Sequence, residues 1–203
     1  MRLQPHPLKK CSAQHEDLTV RDRRRGSRCD VDIGAAALGP MKLQPETTQS
    51  DDPAILVKWF CKQRHPAQES QLEEAIAIAT QAEQVHRTDD AWPHGLADQL
   101  GNILDCVFAH QQREQAVVFP MLLKGLDALP DRMIDEMIQA HEHLLAEWRT
   151  VSQLTGGFSA PAHACAAWLR LYALCSRLQF DCVEQVGLEN RMLLAGRGLS
   201  HPA

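Results

Sequence analysis

After residue 50 the chain contains four long stretches in which apolar residues recur at intervals of three and four, and in each the apolar stripe is broken by His, Glu or Gln. That interval is one face of an α-helix. The first stretch opens with Asp51-Asp52-Pro53 and runs to about His86, with a kink expected at Pro66, which lacks an N–H and crowds the preceding turn. The second runs from about Pro93 to Leu123. The third starts at Pro130-Asp131 and ends before Gly156-Gly157, and the fourth runs from Pro161 to about Leu194, ahead of Gly196 and Gly198. Proline at the start and glycine past the end are ordinary helix punctuation. No stretch alternates with period two for long enough to make a sheet. The links are short, so consecutive helices should be antiparallel, and the chain is predicted to be all-α, an up-down-up-down four-helix bundle.

Residues 1–50 read differently. They carry the basic run Arg21-Asp22-Arg23-Arg24-Arg25, scattered Pro and Gly, and no helical period, which predicts a disordered tail. Met41-Lys42-Leu43-Gln44-Pro45 echoes Met1-Arg2-Leu3-Gln4-Pro5, which makes Met41 a second candidate start and the first forty residues a candidate non-native extension. The expected division is a tail at 1–50, a helical domain at 51–196 and a short tail at 197–203. A formal net charge of −5 gives no electrostatic reason to expect nucleic acid or an anionic membrane as partner. No apolar run approaches the ~20 residues of a membrane span, and the N-terminus has no secretory apolar segment. Seven cysteines without paired spacing predict reduced thiols in a cytoplasm rather than a disulfide framework.

The interruptions of the stripes carry the functional information. On the second helix the stripe reads Leu96, Leu100, Ile103, Val107, then His110 and Glu114, then Val117 and Met121. On the third, His141 lies between Ile138 and Leu144; on the fourth, Gln185 and Glu189 lie between Cys182 and Met192. On the first, Cys61, His65, Leu72, Ile76 and Ala79 share a face. With a rise of ~1.5 Å per residue, His65 and His141 stand ~18 and ~16 Å from the starts of their helices. His110 and Gln185 stand ~20 and ~14 Å from the ends of theirs, and those helices run the other way. The residues therefore meet in one layer. A buried carboxylate is costly unless it is paired or binds a cation. A mixed nitrogen and oxygen set suits iron, manganese or zinc, and two carboxylates of bridging type favour a pair of irons. His86 is 21 residues past His65, ~31 Å along the same helix, and cannot share the layer. It reads as a surface residue, as do His94, His143, His163 and His201. No G-x-S-x-G and no phosphate loop is present, so nothing points to nucleophilic catalysis.

A His on the first helix, H-x-x-x-E on the second, a His on the third and Gln185-x-x-x-Glu189 on the fourth resembles the hemerythrin HHE cation-binding domain. The closer resemblance is to the di-iron family called repair of iron centres, whose members respond to nitric oxide and oxidative stress. It is carried by Arg64-His65, Ala82-Glu83-Gln84-Val85-His86, His110 to Glu114 continuing to Val118-Phe119-Pro120, Ala140-His141-Glu142 and Gly187-Leu188-Glu189-Asn190, over about residues 53–194. The resemblance implies two irons bridged by Glu114 and Glu189, one served by His65 and His110, the other by His141 and position 185. It also implies a small diatomic ligand, nitric oxide or oxygen, and an iron–sulfur protein as client. The chain departs from the family at Gln185, where the family has His. It also lacks the family's N-terminal domain with vicinal cysteines, and the Phe-Pro that tends to follow the fourth helix. Two other functions stay open: an oxygen-binding hemerythrin, although Leu145 stands where carriers have a further imidazole, and a metal-poor bundle kept for protein contacts.

Overall fold

The structure, a computed structural model, describes residues 50, 52–125 and 129–195. The tails expected at 1–50 and 197–203 lie outside the described residues except for Ser50. The described elements are helical throughout and make four rods. The first consists of α1 (Pro53–Trp59), a π-helical turn (Phe60–Arg64) and α2 (His65–Val85). The second consists of α3 (Leu96–Arg113), a π-helical turn (Glu114–Val118) and α4 (Phe119–Leu122). The third is α5 (Asp131–Leu154) and the fourth α6 (Ala166–Leu194). α2 packs on α3 and α6, and α5 packs on the same two, so each rod has its chain neighbours beside it and the fourth closes on the first. No helix among the described residues is long and apolar enough to cross a membrane.

Helix boundaries follow local chemistry. Asp52 caps α1, its Oδ1 accepting the Ala54 N–H at 2.9 Å, with Pro53 at the first helical position. The second rod begins at Leu96, later than the expected Pro93, because Gly95 adopts φ +83° and Pro93–Gly95 form a turn whose Pro93 carbonyl accepts the Leu96 N–H. The fourth begins at Ala166 rather than Pro161: Ala164 turns back onto the Pro161 carbonyl, and Cys165 is extended at ψ 167°. The third ends where Gly156 and Gly157 take φ +57° and +71°, which residues with a Cβ rarely adopt.

Proline acts on the first rod one turn earlier than expected. Pro66 cannot donate to the carbonyl four residues back, and its ring crowds that carbonyl. The chain answers with the π turn, in which the His65 N–H reaches the Phe60 carbonyl. The second rod repeats the device: Pro120 follows a π turn closed by the Phe119 N–H on the Glu114 carbonyl. Each such turn inserts one residue into the 3.6-residue register. Inward positions on the second rod therefore pass from the expected Val117 and Met121 to Val118 and Leu122, and Val117 is left 40 % exposed. On the first rod Phe60 and Arg64 are buried while Cys61 is only partly so.

Buried apolar residues form two clusters. One holds Leu72, Leu96, Leu100, Ile103, Trp148, Trp168, Leu171 and Leu178. The other holds Leu56, Phe60, Phe119, Ile134, Met137 and Met192. The buried polar residues sit between the two, so dry packing holds them in place from both ends of the bundle.

Candidate metal centre

Each rod delivers its polar residues to this layer. His65 comes from the start of α2, His110 from the last turn of α3 and Glu114 from the π turn after it. His141 comes from the middle of α5, and Gln185 and Glu189 from α6. All six are buried.

The two carboxylates lie among three imidazoles. Glu114 Oε2 is 3.5 Å from His65 Nε2 and 3.4 Å from His110 Nε2. Glu189 Oε2 is 3.1 Å from His141 Nε2 and 3.6 Å from His110 Nε2, while its Oε1 is 3.8 Å from His65 Nε2. The Nε2 atoms of His110 and His141 are 3.1 Å apart. One ligating atom from each of His110, Glu114, His141 and Glu189 falls within 4.8 Å of all the others. His110 stands between the other two imidazoles: it shares the Glu114 oxygen with His65 and the Glu189 oxygen with His141.

Electrostatics mark the layer as short of positive charge. Burial and the neighbouring Glu189 charge push the Glu114 carboxyl well above the usual range. Burial works the same way on Glu189, but the neighbouring imidazoles of His110, His141 and His65 outweigh it and hold that carboxyl well below. Burial would lower His141; Glu189 and Asn190 raise it above the ordinary histidine value. No hydrogen bond satisfies His65 Nε2, Glu114 Oε2 or Glu189 Oε2, although all three are buried. Unpartnered buried nitrogen and oxygen atoms converging from several helices are a set a cation completes, and imidazole with carboxylate fits iron.

Residues around the centre orient it. Asn190 Oδ1 lies 2.7 Å from His141 Nδ1 and, being an acceptor only, puts the proton there, which leaves the Nε2 lone pair facing the cluster. Gln115 Nε2 lies 3.2 Å from His65 Nδ1. Gln185 does not point its oxygen at the carboxylates: Oε1 accepts from Arg64 Nε at 2.9 Å, and Nε2 donates to Glu189 Oε1 at 2.8 Å. Arg64 Nη1 lies 3.6 Å from Asp181 Oδ2, and Asp181 is also held by Arg177 at 2.8 Å. Sequence reasoning missed Arg64 and Asp181 as members of this layer. Asp181 stands one turn before Gln185, a spacing visible in the sequence, but Arg64 turns inward only because of the π turn.

The remaining histidines lie elsewhere. His143 is exposed beside Glu147, and His94 and His163 are exposed. His86 corrects the surface reading: it stacks on Trp92 at 5.5 Å, with its Nε2 3.4 Å from Cys165 Sγ, at the far end of the first rod. The five described cysteines are free; Cys175 and Cys182 are buried, with thiols pushed up to about 12 by burial.

A four-helix bundle with a buried histidine–carboxylate layer defines a class of cation-binding protein. The model of the hemerythrin HHE cation binding domain matches residues 59–195, and the chain belongs to that family. Among its relatives is the iron-sulfur cluster repair protein YtfE of Musicola paradisiaca (strain Ech703), 31% identical over 167 residues, which span 81% of this chain and 75% of the relative. The protein of the same name from Yersinia pseudotuberculosis serotype IB (strain PB1/+) is 28% identical over 81% of this chain and 76% of its own.

Proposed function

We propose that this chain is a cytoplasmic non-haem iron protein that binds nitric oxide and supports the repair of iron–sulfur clusters in client proteins under nitrosative or oxidative stress. The observation that carries the reading is the buried layer of three imidazoles and two carboxylates in which His65 Nε2, Glu114 Oε2 and Glu189 Oε2 lack hydrogen-bond partners. His65, His110, His141, Glu114 and Glu189 would hold the iron. Bound iron supplies an open coordination position and a change of oxidation state. The protein supplies the rest: Asn190 sets the His141 tautomer, the two apolar clusters keep bulk water from the layer, and the carboxylates balance the ion's charge. The names of the relatives support a role in cluster repair. The resemblance implies a second iron, which would fall to His141 and position 185.

The test is metal analysis of untagged protein followed by exposure of the reduced form to nitric oxide. Iron in the protein and a new paramagnetic signal on adding the gas support the reading. Reversible oxygen binding without that signal favours an oxygen carrier, and absence of any bound transition metal removes the iron reading.

A further inference from the structure

We propose that the buried guanidinium of Arg64 supplies, from within the chain, the positive charge a second metal ion would bring, so that the centre holds a single iron. This rests on the reading of the layer as an iron site and specifies its stoichiometry.

Four observations carry it. Arg64 is only 1 % exposed, unusual for a residue that is otherwise found at surfaces. It lies in the π turn directly before His65, so its side chain enters the layer on the His65 side. Its Nε–H donates to Gln185 Oε1, and the Gln185 amide in turn donates to Glu189 Oε1. Arg64 also feels the Glu189 charge directly. The two Glu189 oxygens are thereby divided. Oε2 faces His110 and His141, where one ion fits; Oε1 faces an N–H, which repels a cation.

The Gln185 amide cannot easily reverse to offer oxygen to a metal. Reversal would set its Oε1 against the Glu189 carboxylate and its NH2 against the guanidinium, replacing two favourable contacts by two repulsive ones. The charge count agrees. Asp181 is also paired with Arg177, so Arg64 is not spent on Asp181 alone and its charge adds to a layer in which Glu114 and Glu189 carry two negative charges. One divalent ion neutralises them. A second would leave a buried positive excess beside the Arg64 guanidinium, which is costly unless further anionic ligands come with it.

Anaerobic loading with excess ferrous iron, removal of unbound metal, metal analysis per chain and electron paramagnetic resonance after oxidation test this. Wild type should hold about one iron per chain and give the signal of an isolated high-spin ferric ion. Gln185→His alone should stay at one, because Arg64 still occupies the charge position. Gln185→His with Arg64→Met should rise toward two, with Asp181 still held by Arg177, and with loss of the isolated-ion signal through coupling. Gln185→His with Arg64→Lys, which keeps the charge, should stay at one. Two irons in wild type, or a folded Arg64→Met/Gln185→His protein that stays at one, overturns the inference. If the double variant does not fold, the wild-type count and signal decide. Wild type that takes up no iron instead overturns the iron reading itself.

Discussion

Asn190→Ala should loosen the metal without dismantling the bundle. In wild type the 2.7 Å contact to His141 Nδ1 is at the short end for an N–H···O bond, and His141 is almost wholly buried. Deleting the acceptor leaves a buried N–H without a partner, frees the ring to turn and removes the preference that keeps the Nε2 lone pair on the cluster. Losing such an orienting partner typically weakens metal binding 10–100-fold, about 1.4–2.8 kcal/mol. The cost to the metal-free fold should be about 1–3 kcal/mol, the penalty of the unsatisfied donor. The affinity is read by anaerobic competition for ferrous iron against a chromophoric chelator, and the fold by urea denaturation of the metal-free protein. Asn190→Asp retains an acceptor at the same place and should restore most of the affinity. Unchanged affinity in Asn190→Ala, or an Asp variant as weak as the Ala variant, would show that Asn190 does not orient the ligand.

Glu114→Ala should release the metal, because it leaves Glu189 as the sole carboxylate facing the three imidazoles; full iron retention on metal analysis would exclude Glu114 as a ligand. Leu171→Ala opens a cavity in the cluster that holds Leu72 and Trp168 and should cost about 2–5 kcal/mol in urea denaturation. Leu171 is 14 residues before Gln185, ~21 Å along α6, so iron content should not change. Peptide mapping after brief alkylation of folded protein at pH 8 should find Cys61, Cys106 and Cys165 modified before Cys175 and Cys182, whose burial keeps them as thiols; early labelling of Cys182 would contradict the packing described around it.

The bundle and the residues of its layer were legible from periodicity because three-four spacing and helix rise are properties of the backbone alone. His110, Glu114, His141 and Glu189 fall where that arithmetic puts them, and so does His65. Arithmetic failed where the backbone departs from 3.6 residues per turn. Two π turns shift the register ahead of Pro66 and Pro120, so Val117 faces solvent in place of Val118, and Arg64 is buried beside His65. The role of Gln185 was hidden for the same reason. Taken alone it is a weak metal ligand; its partner on the other side is visible only once the first rod is built. The place of His110 between His65 and His141 depends on side-chain directions across three helices, which spacing within one helix does not encode.

The central claim is that the histidine–carboxylate layer holds iron. X-ray absorption at the iron edge, on untagged protein loaded anaerobically and freed of unbound metal, tests it in one measurement. The account predicts an iron edge with a first shell of nitrogen and oxygen only and the outer-shell scattering of several imidazoles. No edge above background, or a first shell containing sulfur, would contradict it.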